Sequence, residues 1–220
     1  MAQNYTAGVI AHEFQHMLFF NEKVLAGRYY IDDLWINEGF SGLAEDIAGY
    51  GFEQGVSWFK EASFFDEPWS TSLINWRHSP SDYGASNLFV RYLYDNFGRD
   101  ILASISRSGA DPRTAIENYT GLSFAEIFEN WSLALLSENL ELGLGEMDAK
   151  YAFSDNISLS HLNLRGANLA TSDEWSDWDI VGWGVSYKRI SAGEGGELEI
   201  EIKDAAVSGY FRKAVLRWGN

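Results

Sequence analysis

The sequence predicts an α+β chain: a mainly helical part over residues 1–140, then a small β-sandwich-like part over residues 151–220. Three observations predict it. Apolar residues recur with a helical period through residues 6–140. Residues 141–150, Glu-Leu-Gly-Leu-Gly-Glu-Met-Asp-Ala-Lys, read as a linker. Beyond them the period falls to two, most cleanly in the Glu-Leu-Glu-Ile-Glu-Ile run that starts at Glu197, as in a half-buried antiparallel strand.

The helical part divides into segments 6–22, 37–50, 53–65, 84–97, 99–107, 112–119 and 123–140. Breaks fall at Gly27, around Pro68, at Pro80, near Gly98 and at Gly121, where glycine and proline interrupt the helical pattern. In the first segment Val9, Ile10, Phe14, Met17 and Leu18 cover much of the circumference, which predicts a helix buried in a core and capped by Thr6 or Asn4. Ser123 followed by Glu126 is a capping box ahead of Ile127, Phe128, Trp131 and Leu135. The β part takes its expected strands from Ile157–Ser160, Ile180–Ile190, Glu197–Lys203 and Tyr210–Trp218.

Composition narrows the function classes. Hydrophobic residues make up 46% of the 220, with 9 Trp, 11 Tyr and 14 Phe, enough for one domain core and a smaller one. No run of 18 apolar residues exists to span a membrane. Against 32 acidic residues stand 16 basic ones, and a net charge of −16 argues against nucleic acid as a partner. Such a charge suits an exported protein. The absence of cysteine excludes disulfides, thiolate metal ligands and a cysteine nucleophile.

The chemistry is concentrated in His12-Glu13-Phe14-Gln15-His16 and Trp35-Ile36-Asn37-Glu38-Gly39-Phe40. On a helix, positions i and i+4 lie about 40° apart around the axis and roughly 6 Å along it. His12 and His16 therefore leave one face and can converge on one metal ion, with Glu13 beside them to handle a water. Two histidines and a glutamate on an apolar helix are costly without strong partners. A divalent metal, zinc first among them, is such a partner.

The third ligand is read as Glu38. The pattern that uses a third histidine needs glycine at position 19 and histidine at 22, where this chain has Phe19 and Glu22. Glu38 opens a second helix, and Glu45, two turns later, lies within about 20° of the same face. There it either accepts from a ligating histidine's other N–H or forms a surface salt bridge.

Together these residues resemble the gluzincin peptidases, a group that includes thermolysin and the zinc aminopeptidases. Trp35 to Phe40 with Glu45 is similar to the aminopeptidase form of the second helix, and Asn21 falls where that branch carries an asparagine. His-Glu-Phe-Gln-His-Met and the stretch Tyr83 to Tyr94 resemble the hyicolysin-type bacterial peptidases. The resemblance covers residues 4–140 and implies a zincin-type catalytic subdomain. It implies Zn2+ held by His12, His16 and Glu38, a peptide or protein substrate, and secretion of the full-length protein. Gluzincins place a β-sheet before the metal helix. Residues 1–8 hold neither such a sheet nor a signal peptide, so the expectation is a fragment of a longer chain.

The resemblance also makes Tyr83 a donor to the oxyanion, with a core tyrosine as the alternative and His78 as a rival. His161 reads as structural or solvent-facing. Asp32-Asp33 and the run Ser172 to Asp179 offer oxygen ligands at close spacing, although neither fits a twelve-residue calcium loop. The reading is a zinc metallopeptidase with Glu13 as general base and Tyr83 as the second catalytic residue. Two alternatives stand beside it: a non-catalytic zinc-binding module, and a zinc hydrolase with a non-peptide substrate.

Overall fold

The computed structural model describes residues 2–28, 33–52, 58–154, 157–165, 167–170 and 179–191. The chain forms two compact units. One holds Met1–Arg165 with Asp179–Ser186, the other Gly166–Trp178 with Tyr187–Asn220.

The first unit is helical. It contains α1 (Ala2–Phe20), which runs on as a π-helical turn over Asn21–Leu25, then α2 (Leu34–Ile47) and α3 (Phe59–Asp66). After these come α4 (Pro80–Phe97), α5 (Arg99–Arg107), α6 (Pro112–Thr120), α7 (Phe124–Asn139) and the short α8 (Leu144–Met147). The central helix is α4. It packs against α2 and α3, and α1 packs against α2.

Glycine permits the close crossings that position the site. A Cβ on Gly39 would lie 2.5 Å from Val90 Cγ2 and 2.7 Å from the Ser86 carbonyl, and one on Gly42 would lie 2.8 Å from Asn87 Cγ. These two residues, three apart on α2, let its backbone sit directly on α4. The turn that carries Glu38 is fixed by that contact. Around it Trp35, Phe64, Phe89, Phe124 and Trp131 are all buried and meet ring against ring.

Capping explains the helix starts. Ser79 and Asp82 form a capping box at α4, and Ser123 and Glu126 form the one the sequence predicts at α7. Helix α4 consequently begins at Pro80, four residues before the expected 84, and Tyr83 lies inside its first turn. Helix α1 also starts early, at Ala2, so Thr6 and Asn4 lie within it and not at its N-cap position.

The expected burial of α1 is not what the structure shows. Ile10, Phe14, Met17 and Leu18 are more than half exposed, at 64%, 56%, 66% and 51%, and Val9 is at 40%. Among the described residues, the main helical contacts to α1 come from α2 and the π-helical turn, and they leave these side chains uncovered. Apolar residues around the whole helix reveal a capacity for burial, not which face has a neighbour.

Residues 141–150, read from sequence as a linker, carry α8 and part of a 3-10 turn over Ala149–Tyr151, both packed on α7. The Tyr92 hydroxyl donates to the Lys150 carbonyl at 2.7 Å, which ties this stretch to α4. Ile157–Ser160 is not a strand. Ile157 and Leu159 are buried and Ser158 and Ser160 exposed, so the alternation is real. It arises because an irregular segment, with turns at both ends, lies on the helices. Asn139 Nδ2 donates to the carbonyls of Leu159 and Leu162, both at 2.8 Å, in place of a neighbouring strand.

In the expected strand Ile180–Ile190 only the end is one. Before it, the amides of Val181 and Val185 donate to the Trp69 and Pro68 carbonyls, and that of Leu73 to Trp183, without a regular ladder. In the second unit β1 (Ala167–Ala170) pairs in parallel with β2 (Lys188–Ser191), Ala167 opposite Lys188. The expected strands Glu197–Lys203 and Tyr210–Trp218 lie outside the described residues, so the sandwich is not shown.

Candidate metal centre

Where α1 crosses α2, His12, His16 and Glu38 come together, with one ligand atom from each within 4.8 Å of the others. His12 Nε2 stands 3.2 Å and His16 Nε2 3.7 Å from Glu38 Oε2. The two rings meet edge to face with centroids 4.8 Å apart. Donor atoms about 2.0–2.1 Å from a tetrahedral ion stand about 3.3 Å from one another, so the three need to move little to share one.

The outer bonds orient both rings. His12 Nδ1 donates to Glu45 Oε1 at 2.8 Å. His16 Nδ1 lies 3.1 Å from Asn37 Oδ1, an acceptor, and 3.1 Å from Ser41 Oγ. With Nδ1 committed on each ring, Nε2 is the nitrogen aimed at Glu38. Ser41 in turn donates to Gln15 Oε1 at 2.6 Å, tying α2 back to the metal helix. Glu45 is buried, and also accepts from Lys60 Nζ at 3.3 Å.

The electrostatics fit a cation. Glu38 Oε2 is buried between the two imidazoles, and His12 Nε2 faces it at 3.2 Å as an ion-pair partner. Burial opposes a charge on His12, but hydrogen bonds to Glu38 and Glu45, and then their charges, outweigh it and raise its pKa to about 9. In the metal-free state a proton on His12 thus does part of what a metal would do. Burial also pushes the Glu45 carboxyl up, yet the bond from His12 and the charge of Lys60 hold it below its ordinary value. Two imidazoles and one carboxylate are a donor set that zinc accepts.

Other sequence-predicted residues fall in different places. Glu13 is exposed beside His12 on α1. The Tyr83 phenol is pushed up by burial and then by the charges of Glu38 and Asp82, which puts it within the field of the centre. Its ring packs edge-on against Trp76 at 4.8 Å. His78 is exposed at φ 63°, and its Nδ1 accepts from Trp76 Nε1 at 3.2 Å. Glu22 sits in the π-helical turn, ion-paired with Arg28 at 2.6 Å and Arg107 at 3.5 Å. His161 stacks on Phe52 at 6.0 Å. Asp33 is the N-cap residue of α2. Asp32 and residues 172–178 lie outside the described residues.

The sequence reading missed Asn37, Ser41 and Lys60. Asn37 had a signal, since it directly precedes Glu38 on the face that meets α1. Lys60 had none, because it reaches the centre from a third helix.

No known family profile matches the chain. It is similar to the neutral metalloprotease ShpI of Staphylococcus hyicus, with 29% identity over 140 residues. The match takes in 57% of this chain and 31% of that relative, so the chain spans less than a third of the relative's length. This likeness supports a metallopeptidase relationship. It does not decide the subtype.

Proposed function

We propose that this chain carries the catalytic centre of a zinc-dependent peptidase of the gluzincin type, secreted in its full-length form. The observation that carries the reading is the buried Glu38 oxygen facing two imidazoles whose other nitrogens are already committed. The likeness to a neutral metalloprotease supports it from an independent direction. His12, His16 and Glu38 would hold the ion. When bound, zinc supplies Lewis acidity toward the scissile carbonyl and lowers the pKa of water.

The protein's own groups do the rest. Glu13 takes the proton of the attacking water and passes it to the leaving amine. Tyr83 donates a hydrogen bond to the oxygen on which negative charge develops. Glu45 and Asn37 keep the two imidazoles in the tautomer that presents Nε2.

The test is digestion of unfolded casein by zinc-loaded protein, wild type against Glu13→Gln at equal zinc content. A general base contributes about 10²–10⁴-fold, so the variant should retain zinc and lose nearly all activity. Rates within a few-fold of each other would remove Glu13 from its role. A wild-type protein that holds zinc without cleaving would favour the non-catalytic binding module.

A further inference from the structure

Lys60 stands where two parts of the proposed centre meet. Its Nζ is 3.3 Å from Glu45 Oε1, the same oxygen that accepts from His12 Nδ1 at 2.8 Å. The same ammonium lies 5.6 Å from the centroid of the Tyr83 ring, within the range of a cation–π contact. No other lysine or arginine among the described residues is seen to ion-pair with Glu45 or to lie over Tyr83.

The backbone builds this placement. A Cβ on Gly84 would fall 2.2 Å from the Lys60 carbonyl and 2.8 Å from Glu61 Cα. Only glycine lets the start of α3 approach the first turn of α4 this closely. The approach puts Lys60 against Tyr83, the residue just before that glycine. Trp76 holds the Tyr83 ring on another side at 4.8 Å. The Lys60 side chain is 19% exposed and that of Glu45 9%, so their pairing is less screened than an exposed surface pair.

We propose that Lys60 is a positioning residue that couples the partner of a metal ligand to the oxyanion donor, by bonding Glu45 and supporting the Tyr83 ring with one ammonium. Glu45 sets the orientation of His12, while the Tyr83 ring carries the phenol that must meet the reacting oxygen. A misplacement of about 1 Å at such a group costs on the order of 10²-fold in rate. A cation shared between the two fixes their relative position. The catalytic half of this proposal rests on the peptidase reading, but the coupling itself does not.

The test has two arms. In the metal-free protein, double-mutant cycles measure the unfolding equilibrium for Lys60→Met with Glu45→Gln, and for Lys60→Met with Tyr83→Leu. Coupling of about two- to fivefold in each cycle is expected. Coupling to only one partner, or to neither, overturns the proposal. In the zinc-loaded protein at equal occupancy, Lys60→Met should lower kcat about tenfold with KM little changed, and Lys60→Arg should restore most of the rate. The loss in kcat should also largely vanish when Lys60→Met is made in a Tyr83→Phe background. A loss that Arg does not rescue, or that persists in full without the phenol, overturns it. If the wild type neither holds zinc nor cleaves, the peptidase reading fails, while the metal-free cycles still decide the coupling.

Discussion

Zinc and a proton compete for His12, and the competition can be measured. The metal-free ring sits between Glu38 and Glu45, at 3.2 Å and 2.8 Å, and against the opposing effect of burial they raise its pKa to about 9. At pH 7 the ring lies about two pH units below that pKa, so about one ring in 100 is free to bind metal. Zinc affinity should therefore be about 100-fold weaker at pH 7 than well above pH 9, rising about tenfold per pH unit between pH 7 and 8.5. Calorimetric titration in buffers of different ionisation enthalpy counts the protons, and His12 should contribute close to one per zinc at pH 7. Glu45→Gln removes one of the two raising partners and should shift the steep region to lower pH. The stability of the metal-free fold has a matching sign. The raised pKa contributes stability that is fully present below about pH 6.5 and lost as pH rises through about 9. An affinity that stays flat from pH 7 to 8.5, with no proton released, would refute the reasoning, because the ring would then not be charged between the carboxylates.

Two further predictions concern the helices behind the site. Glu61 is fully buried, and burial raises its carboxyl to about 8, so wild-type stability should fall as pH rises from about 4.5 through 8. Glu61→Gln keeps the shape and removes the charge, and urea unfolding at pH 9 should find it more stable than wild type by about 1–3 kcal/mol; a variant no more stable there would contradict this. Gly84→Ala places a Cβ 2.2 Å from the Lys60 carbonyl and must part α3 from α4. It should cost about 1–3 kcal/mol in thermal unfolding, and an unchanged melting temperature would show that the crossing is looser than described.

The parts of the fold legible in the sequence are those with local causes. Helices α5, α6 and α7 start and stop within a residue or so of the expected segments, because Gly98, Gly121 and the Ser123–Glu126 box act through neighbouring backbone. The start of α4 carried its own box, Ser79 with Asp82, and was overlooked because Pro80 reads first as a break when it is a favoured first residue. What depends on distant chain was not legible. The outward face of α1 has the composition of a core helix, yet α2 leaves it uncovered. Ile157 and Leu159 alternate with serines as a strand would, but their chain is held by Asn139 instead of a ladder.

The candidate site divides in the same way. Helical spacing places His12 and His16 on one face, and the start of a second helix pointed to Glu38 as the third ligand; Glu22, near the end of the first helix, the structure puts in ion pairs with Arg28 and Arg107. Glu45 was visible as a position on the right face, although only the three-dimensional structure gives its bond to His12. Lys60 was invisible, since nothing in a lysine between Phe59 and Glu61 tells where its ammonium ends.

The most direct test of the account is the zinc content of purified protein, measured by elemental analysis for the wild type, His16→Ala, Glu38→Ala and Glu22→Ala after dialysis at pH 8. The account predicts close to one zinc per chain in the wild type and in Glu22→Ala, and nearly none in His16→Ala or Glu38→Ala. Wild-type zinc in His16→Ala, or loss in Glu22→Ala with retention in Glu38→Ala, would contradict it.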